Sequence, residues 1–242
     1  MAAAGRTSLE LGLYADLVAQ FNEAPAKVAI LYSWPSLVYS PYYSTALKAI
    51  YDALRQNGQK IDFITERQLR EAGTDGYKVI VLPQASHTGE GVLPALQNFV
   101  QKGGKIISAG ESVLSRDEWN QPRPEADRKK ILDGALAFQL LPNADKLRKD
   151  LFAFFGKLGL NEAILVDTAN GETVSGVEYR GLSQNGKRYL VALNFGSAQK
   201  KVTVEFAGKK VPAFTDLLSL KEMSFPEVNL EPLTPVLLEL KN

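Results

Sequence analysis

With 242 residues, 45% of them hydrophobic, the chain can fill one large core or two ordinary ones without covalent staples. It has no Cys and a single His, His87, which together exclude disulfides, thiol nucleophiles, Cys-based zinc sites and His-rich metal centres. Lys plus Arg number 28 against 27 for Asp plus Glu, with no block of like charge, so the sequence offers no electrostatic footprint for nucleic acid or an acidic membrane surface.

The opening "MAAAGRTSLELG" has no apolar segment of signal-peptide length, and no stretch approaches a membrane span. The expectation is a chain with neither, and a cytoplasmic location is favoured. Ser8 to Asn22 place Leu9, Leu13, Leu17, Val18 and Phe21 on one helical face, a lead-in helix that needs a surface to lie on. From there strands and helices alternate. "KVAILYS" is a short apolar run fit for a parallel strand, Tyr43 to Gln56 is amphipathic with Gly58 as a stop, and "KIDFIT" is strand-like again. "YKVIVLP" predicts a third buried strand, "GEGVLPALQNFVQKGG" a crossover helix closed by two glycines, and "KIISAG" a fourth strand. The pattern predicts a doubly wound α/β layer of flavodoxin type.

After Gly110 the polar, proline-containing "ESVLSRDEWNQPRPEADRKK" reads as loop, while "KILDGALAFQLLP" fits either helix or a return to the sheet. Asn143 to Leu158 has an Asn cap and an apolar face of Leu147, Leu151, Phe154, Phe155 and Leu158, which predicts a linking or packing helix. Beyond about Ala163 the period changes to two. Six or so short alternating runs, one pair joined by Asn185-Gly186, predict a small antiparallel β-sandwich. The expected division is residues 1–24 as lead-in helix and linker, 25–142 as the α/β domain, 143–162 as the linking helix and 163–242 as the sandwich.

Three positions invite chemical readings. His87, in "LPQASHTGEG", falls just past the carboxyl end of the third strand, where open α/β sheets bind ligands. Its nearest candidate partners, Ser86 and Glu90, form no known catalytic pattern, so a structural role outweighs a catalytic one. In "ISAGESVLS" Glu111 stands where an amidotransferase or hydrolase would carry its nucleophile; Glu cannot replace a thiolate in acyl transfer, and Ser112 lacks the second glycine of the hydrolase elbow. A carboxylate capping the next helix is the expected role for Glu111. Asn194, at the end of a strand, reads as a turn device. No pair among the 27 acids is marked by a motif as the two carboxylates a glycosidase needs.

Three stretches carry a family resemblance: "KVAILYSWPS", "ALRQNGQKIDFIT" and "YKVIVLPQASHTGEGVLPALQNFVQKGGKIISAGES". In order, they resemble the trimerisation domain of glycoside hydrolase family 42 β-galactosidases, a class I glutamine amidotransferase-like fold without its catalytic residues. "GVEYRGLSQNGKRYLVALNFGSAQKKVTVEF" and "VNLEPLTPVLLEL" resemble the small C-terminal β-domain of the same enzymes. In that family both catalytic glutamates lie in an N-terminal (β/α)8 barrel of about 250 residues, which the 26 residues before Lys27 cannot hold. The resemblance therefore carries over no catalytic residue and implies no cofactor and no metal. It implies a non-catalytic assembly or accessory region of a β-galactosidase-like hydrolase, partnered by a catalytic barrel of the same or a companion chain, and a homo-oligomer, a trimer by resemblance.

Two other functions compete with this reading: a free-standing carbohydrate or small-molecule binding protein that uses the strand-end crevice near Ser33, Gln84 and Gly110, and a true enzyme of the amidotransferase-like fold. Candidate binding or interface residues are Ser33, Trp34, Tyr39, Tyr42, Gln84, His87 and Glu111. The aromatic stretch "LYSWPSLVYSPYYS" is central to the choice. Pro35 and Pro41 predict an irregular, extended loop outside the sheet, and its rings exceed what one short crossover buries, which points to an assembly surface.

Overall fold

The computed structural model describes residues 12–138, 143–223 and 226–241. The chain forms two units, one made of residues 26–161 and the other of residues 162–242 together with the segment before Ala26.

Residues 26–161 form an α/β unit whose parallel sheet contains β1 (Val28–Tyr32), β2 (Ile61–Thr65), β3 (Val79–Pro83), β5 (Lys105–Ala109) and β7 (Leu136–Phe138), in the order β2-β1-β3-β5-β7. Between them β4 (His87–Thr88) and β6 (Arg116–Asp117) pair in a separate two-stranded ribbon. The order of the five main strands is the flavodoxin-like one, with its switch point between β1 and β3.

Strand side chains alternate between two buried faces, which is why the strands read as unbroken apolar runs. Ala29, Leu31, Ile80 and Leu82 pack with Leu96 and Phe99 of the helix Val92–Gln101 and with Leu69 and Ile131. Val28, Ile30, Val79 and Val81 pack on the opposite face against Ile50 and Leu54 of the helix Tyr43–Arg55 and Leu147, Leu151 and Phe155 of the helix Ala144–Lys157. Asn143 caps that last helix by accepting hydrogen bonds from the amides of Asp145 and Lys146.

The structure corrects two readings of this half. The segment after Ser33 is not an extended loop, because Trp34–Tyr39 forms a short helix. Ser33 Oγ caps it by accepting from the Ser36 amide, and Pro35 sits in its first turn, where a missing N–H costs nothing. Nor is the polar stretch after Gly110 all loop: Glu125–Leu132 is helical, with Glu125 and Asp127 in the first turn and Lys129 and Lys130 in the last, matching the helix dipole. β7 then adds a fifth strand, while residues 139–142 lie outside the described residues.

The second unit is an antiparallel sandwich. One sheet runs β14-β13-β16-β10-β9 and comprises β9 (Val177–Gln184), β10 (Lys187–Asn194), β13 (Phe214–Asp216), β14 (Lys221–Met223) and β16 (Pro235–Leu240). In the other, β11 (Lys200–Phe206) pairs with β8 (Ala163–Asp167), β12 (Lys209–Lys210) and β15 (Glu227–Leu230). Its core holds Leu165, Tyr179, Leu190, Val204, Phe206 and Leu238. Asn185 and Gly186 both take positive φ, 51° and 76°, in the two-residue turn that fixes the β9–β10 register at Gln184↔Lys187. Asn194 is fully buried and acts as a turn brace, donating to the carbonyls of Ala198 and Leu230 and accepting from the Gly196 amide. The helix Ala15–Glu23 lies on the outer face of the larger sheet, where Phe21 meets Leu182 and Leu237. Leu9 falls outside the described residues.

Candidate functional site

The β1/β3 switch point, where an open α/β sheet would receive a ligand, is taken up by the chain's own side chains. At the end of β1, the Tyr43 hydroxyl accepts from the Ser33 amide at 2.9 Å and donates to the Leu31 carbonyl at 2.8 Å. Ser33 Oγ donates to the His87 carbonyl at 2.7 Å, and Ser36 Oγ bonds both that carbonyl and the His87 amide. Ser33, Ser36, Tyr43, His87 and Thr88 are all buried. Burial pushes the Tyr43 phenol up to about 12 against the stabilising amide of Ser33.

His87 joins two parts of this sheet end. Its Nδ1 lies 2.9 Å from Ser86 Oγ and its Nε2 2.9 Å from Asn120 Oδ1. Because the Asn oxygen can only accept, Nε2 carries the proton and Nδ1 accepts from the serine hydroxyl. The ring stacks on Tyr39, with centroids 4.9 Å apart. The Ser86–His87–Asn120 order resembles nucleophile, base and orienter, but Ser86 is itself buried, and here the imidazole acts as a clip.

The other predicted residues divide into two groups. Trp34 and Tyr42 are exposed with Tyr39 and Val38; Trp34 and Val38 stand one helical turn apart, and none of the four is charged. Gln84, Gly110 and Glu111 mark the neighbouring strand ends. Gln84 takes φ +46° and donates its amide to the Ala109 carbonyl. Gly110 has φ +103°, and a Cβ there would lie 1.5 Å from Gln84 Oε1. Glu111 is exposed and caps no helix, a correction with a simple cause: the chain turns at Leu114, which has φ +59°, and residues 114–116 run back along Ala85 and Ser86.

Sequence reasoning missed the segment Arg116–Arg123. Asp117 Oδ1 accepts from the amides of Trp119 and Gln121, the Asp117 amide donates to Gln121, and Arg116 donates to the Asn120 carbonyl. This tight turn presents Trp119, 76% exposed, beside a cleft also lined by Glu90, Leu93, Pro94, Glu118 and Arg123. Arg123 is held by Thr88 Oγ1 and the carbonyls of Thr88 and Gly89, and burial pulls its guanidinium below its ordinary value. The usable signal was a Trp set among Asp, Asn, Gln and Pro, a ring with no apolar neighbours in sequence to share a core with.

Among the described residues no group of three or more His, Cys, Asp or Glu could hold a metal ion, and no helix is long and apolar enough to cross a membrane.

A flavodoxin-ordered α/β unit followed by an antiparallel sandwich recurs in enzymes of glycoside hydrolase family 42. Residues 26–115 match the family model of the beta-galactosidase trimerisation domain. Among solved structures, an apo exo-carrageenase GH42 from Bacteroides ovatus aligns with TM-score 0.76 at 17% identity, covering 96% of this chain and 31% of its own. A GH42 beta-galactosidase from G. stearothermophilus aligns with TM-score 0.67 at 17% identity, covering 90% and 40% respectively. The beta-galactosidase from Bacillus circulans sp. alkalophilus gives TM-score 0.63 at 16%, covering 89% and 41%. At these identities the likeness establishes the fold, and the chain spans less than half the length of these three proteins. No curated protein matches the sequence.

Proposed function

We propose that the chain is a non-catalytic assembly region of a β-galactosidase-like glycoside hydrolase, and that its α/β unit contacts neighbouring subunits through the face of Trp34, Val38, Tyr39 and Tyr42. The observation that carries this reading is the group of exposed, uncharged and mostly aromatic side chains at Trp34, Val38, Tyr39 and Tyr42 within a segment that matches a trimerisation family. Interface cores are depleted of charge and enriched in Trp and Tyr, and the short helix beneath this face is held by buried hydrogen bonds, so little ordering cost remains on binding. The partners of this reading are further copies of the chain, as a trimer, and a catalytic barrel in the same or a companion polypeptide.

Sedimentation velocity on the full chain tests it. The wild type should show concentration-dependent association, and a Trp34→Ala, Tyr42→Ala double variant should remain monomeric with an unchanged circular dichroism spectrum. Identical distributions for the two proteins would remove the assembly role. In the same reading the chain alone hydrolyses neither a nitrophenyl galactoside nor glutamine. Turnover that persists through repurification and disappears in Glu111→Gln or His87→Ala would restore an enzymatic one.

A further inference from the structure

The second tryptophan stands in different chemical surroundings. Among the described residues Trp119 is the most exposed large hydrophobic residue of the α/β unit, yet its backbone is fixed by Asp117, by Arg116 and, through Asn120, by His87. The cleft beside it has apolar walls from Leu93 and Pro94 and a margin of three carboxylates, Glu90, Asp117 and Glu118, against one cation, Arg123. Arg123 directs three of its terminal N–H groups to Thr88 and Gly89, and Asp117 Oδ1 accepts from two backbone amides. Glu118 Oε1 accepts from the Glu90 amide at 3.1 Å. What remains beside the ring is a set of hydrogen-bond acceptors whose charge Arg123 partly balances, since its guanidinium interacts with Asp117 and Glu118.

We infer that this cleft is a saccharide-binding subsite for neutral, hydroxyl-rich sugars, a reading that does not depend on the assembly role of the Trp34 face. A pyranose offers an apolar C–H face to the indole and hydroxyl donors to carboxylates, so it fits a ring bordered by acceptors. A protein partner would have to bring matched cations for three carboxylates, whereas sugar hydroxyls satisfy them without charge. A sulfated or phosphorylated glycan meets like charge. A metal ion is no better served, since among the described residues no cluster of ligands of that kind exists.

The chain has two Trp, so Trp34→Phe leaves Trp119 as the sole indole reporter. Titrating that full-length variant with β-1,4-galactotriose should give a saturable fluorescence change with half-saturation on the order of millimolar. Because neutral hydroxyls rather than charges make the contacts, the titration should be insensitive to added salt. A sulfated carrageenan tetrasaccharide should bind roughly tenfold more weakly or not at all. By calorimetry, Trp119→Ala in the otherwise wild-type chain should lose roughly tenfold or more in affinity for galactotriose, with Trp119→Phe retaining most of it. The inference fails if galactotriose produces no saturable change at tens of millimolar, if Trp119→Ala binds as well as wild type, or if the sulfated sugar binds better. Loss of self-association in Trp119→Ala would also overturn it, by making this surface a protein contact.

Discussion

The two tryptophans of this chain sit at the same end of one parallel sheet and are prepared for different partners. Trp34 follows β1 on a short helix whose exposed neighbours, Val38, Tyr39 and Tyr42, carry no charge. Trp119 follows β5 on a hydrogen-bonded turn bordered by Glu90, Asp117 and Glu118. Exposure is similar, 65% against 76%, so area does not separate them. Border chemistry does: an uncharged border can be buried whole under another protein, whereas a carboxylate border must keep its hydrogen bonds, which sugar hydroxyls supply. Between them lies His87, stacked on Tyr39 and bonded to Asn120, so that the two surfaces share one rigid node.

The largest effect that would break this arrangement is Gly110→Ala. The residue adopts φ +103°, and a Cβ would meet Gln84 Oε1 at 1.5 Å, so left-handed strain and overlap add to about 3 kcal/mol. Gln84 Oε1 is buried without a hydrogen-bond partner, so Gln84→Ala alone should be nearly neutral and should recover the overlap portion in the double variant, leaving the strain. Urea midpoints measure both. Because Gly110 begins the path to the Trp119 turn, fluorescence from Trp119 should shift while that from Trp34 holds.

Alkali should instead strike the Trp34 side. The Tyr43 phenol titrates at about 12 in the folded chain and at about 10 when unfolded. A raised folded value means the stabilisation is complete below pH 10 and is lost as pH rises through 12, on the order of 2–3 kcal/mol. Tyr77, raised to about 12 by burial and by its hydrogen bond to Asp62, titrates in the same window. Tyr43→Phe should therefore flatten part of the fall in stability between pH 10 and 12. It should also cost about 1–3 kcal/mol at neutral pH, because the Ser33 amide loses its acceptor. An unchanged alkaline slope in Tyr43→Phe would detach Tyr43 from the support of the Trp34 helix.

How far the sequence revealed this molecule depends on whether the signal was local. The apolar runs of β1 and β3, the Asn143 cap and the Asn185-Gly186 turn each state their structure within a few residues, so the α/β unit and the sandwich were legible. The helix Trp34–Tyr39 was hidden because prolines suggested extension, although a Ser followed two residues later by Pro is also a helix start. Glu125–Leu132 was masked by its polarity, with Ile131 its one buried residue. The site itself was only half visible. Ser33, Trp34 and Tyr42 could be picked out by residue type, but the His87–Asn120 bond spans 33 positions and follows from the β4–β6 pairing alone. Trp119 could not be placed until that pairing was known.

His87→Ala tests whether the shared node matters. It removes a buried ring from Tyr39 and leaves Ser86 Oγ and Asn120 Oδ1 unpaired, a loss of about 2 kcal/mol. Both tryptophan surfaces should loosen together, read as faster amide exchange in residues 34–39 and 117–121. Faster exchange in one segment only would mean that the two surfaces are independent.

The smallest expected effect is the sharpest test of the contrast. Asp117→Ala deletes the carboxylate oxygen that accepts from the Trp119 and Gln121 amides at 2.9 and 2.8 Å. The turn is solvent-exposed, so water replaces part of what is lost and global stability should fall by only about 1 kcal/mol. The local consequence is larger, because those two bonds hold the backbone that carries the indole, while the helix Trp34–Tyr39 supplies no partner to either. Fluorescence anisotropy in a Trp34→Phe background should drop for Trp119, and galactotriose affinity should weaken with it. Self-association through the Trp34 face should be unchanged in sedimentation. If Asp117→Ala instead shifted the oligomer distribution and spared sugar binding, the assignments of the two surfaces would have to be exchanged.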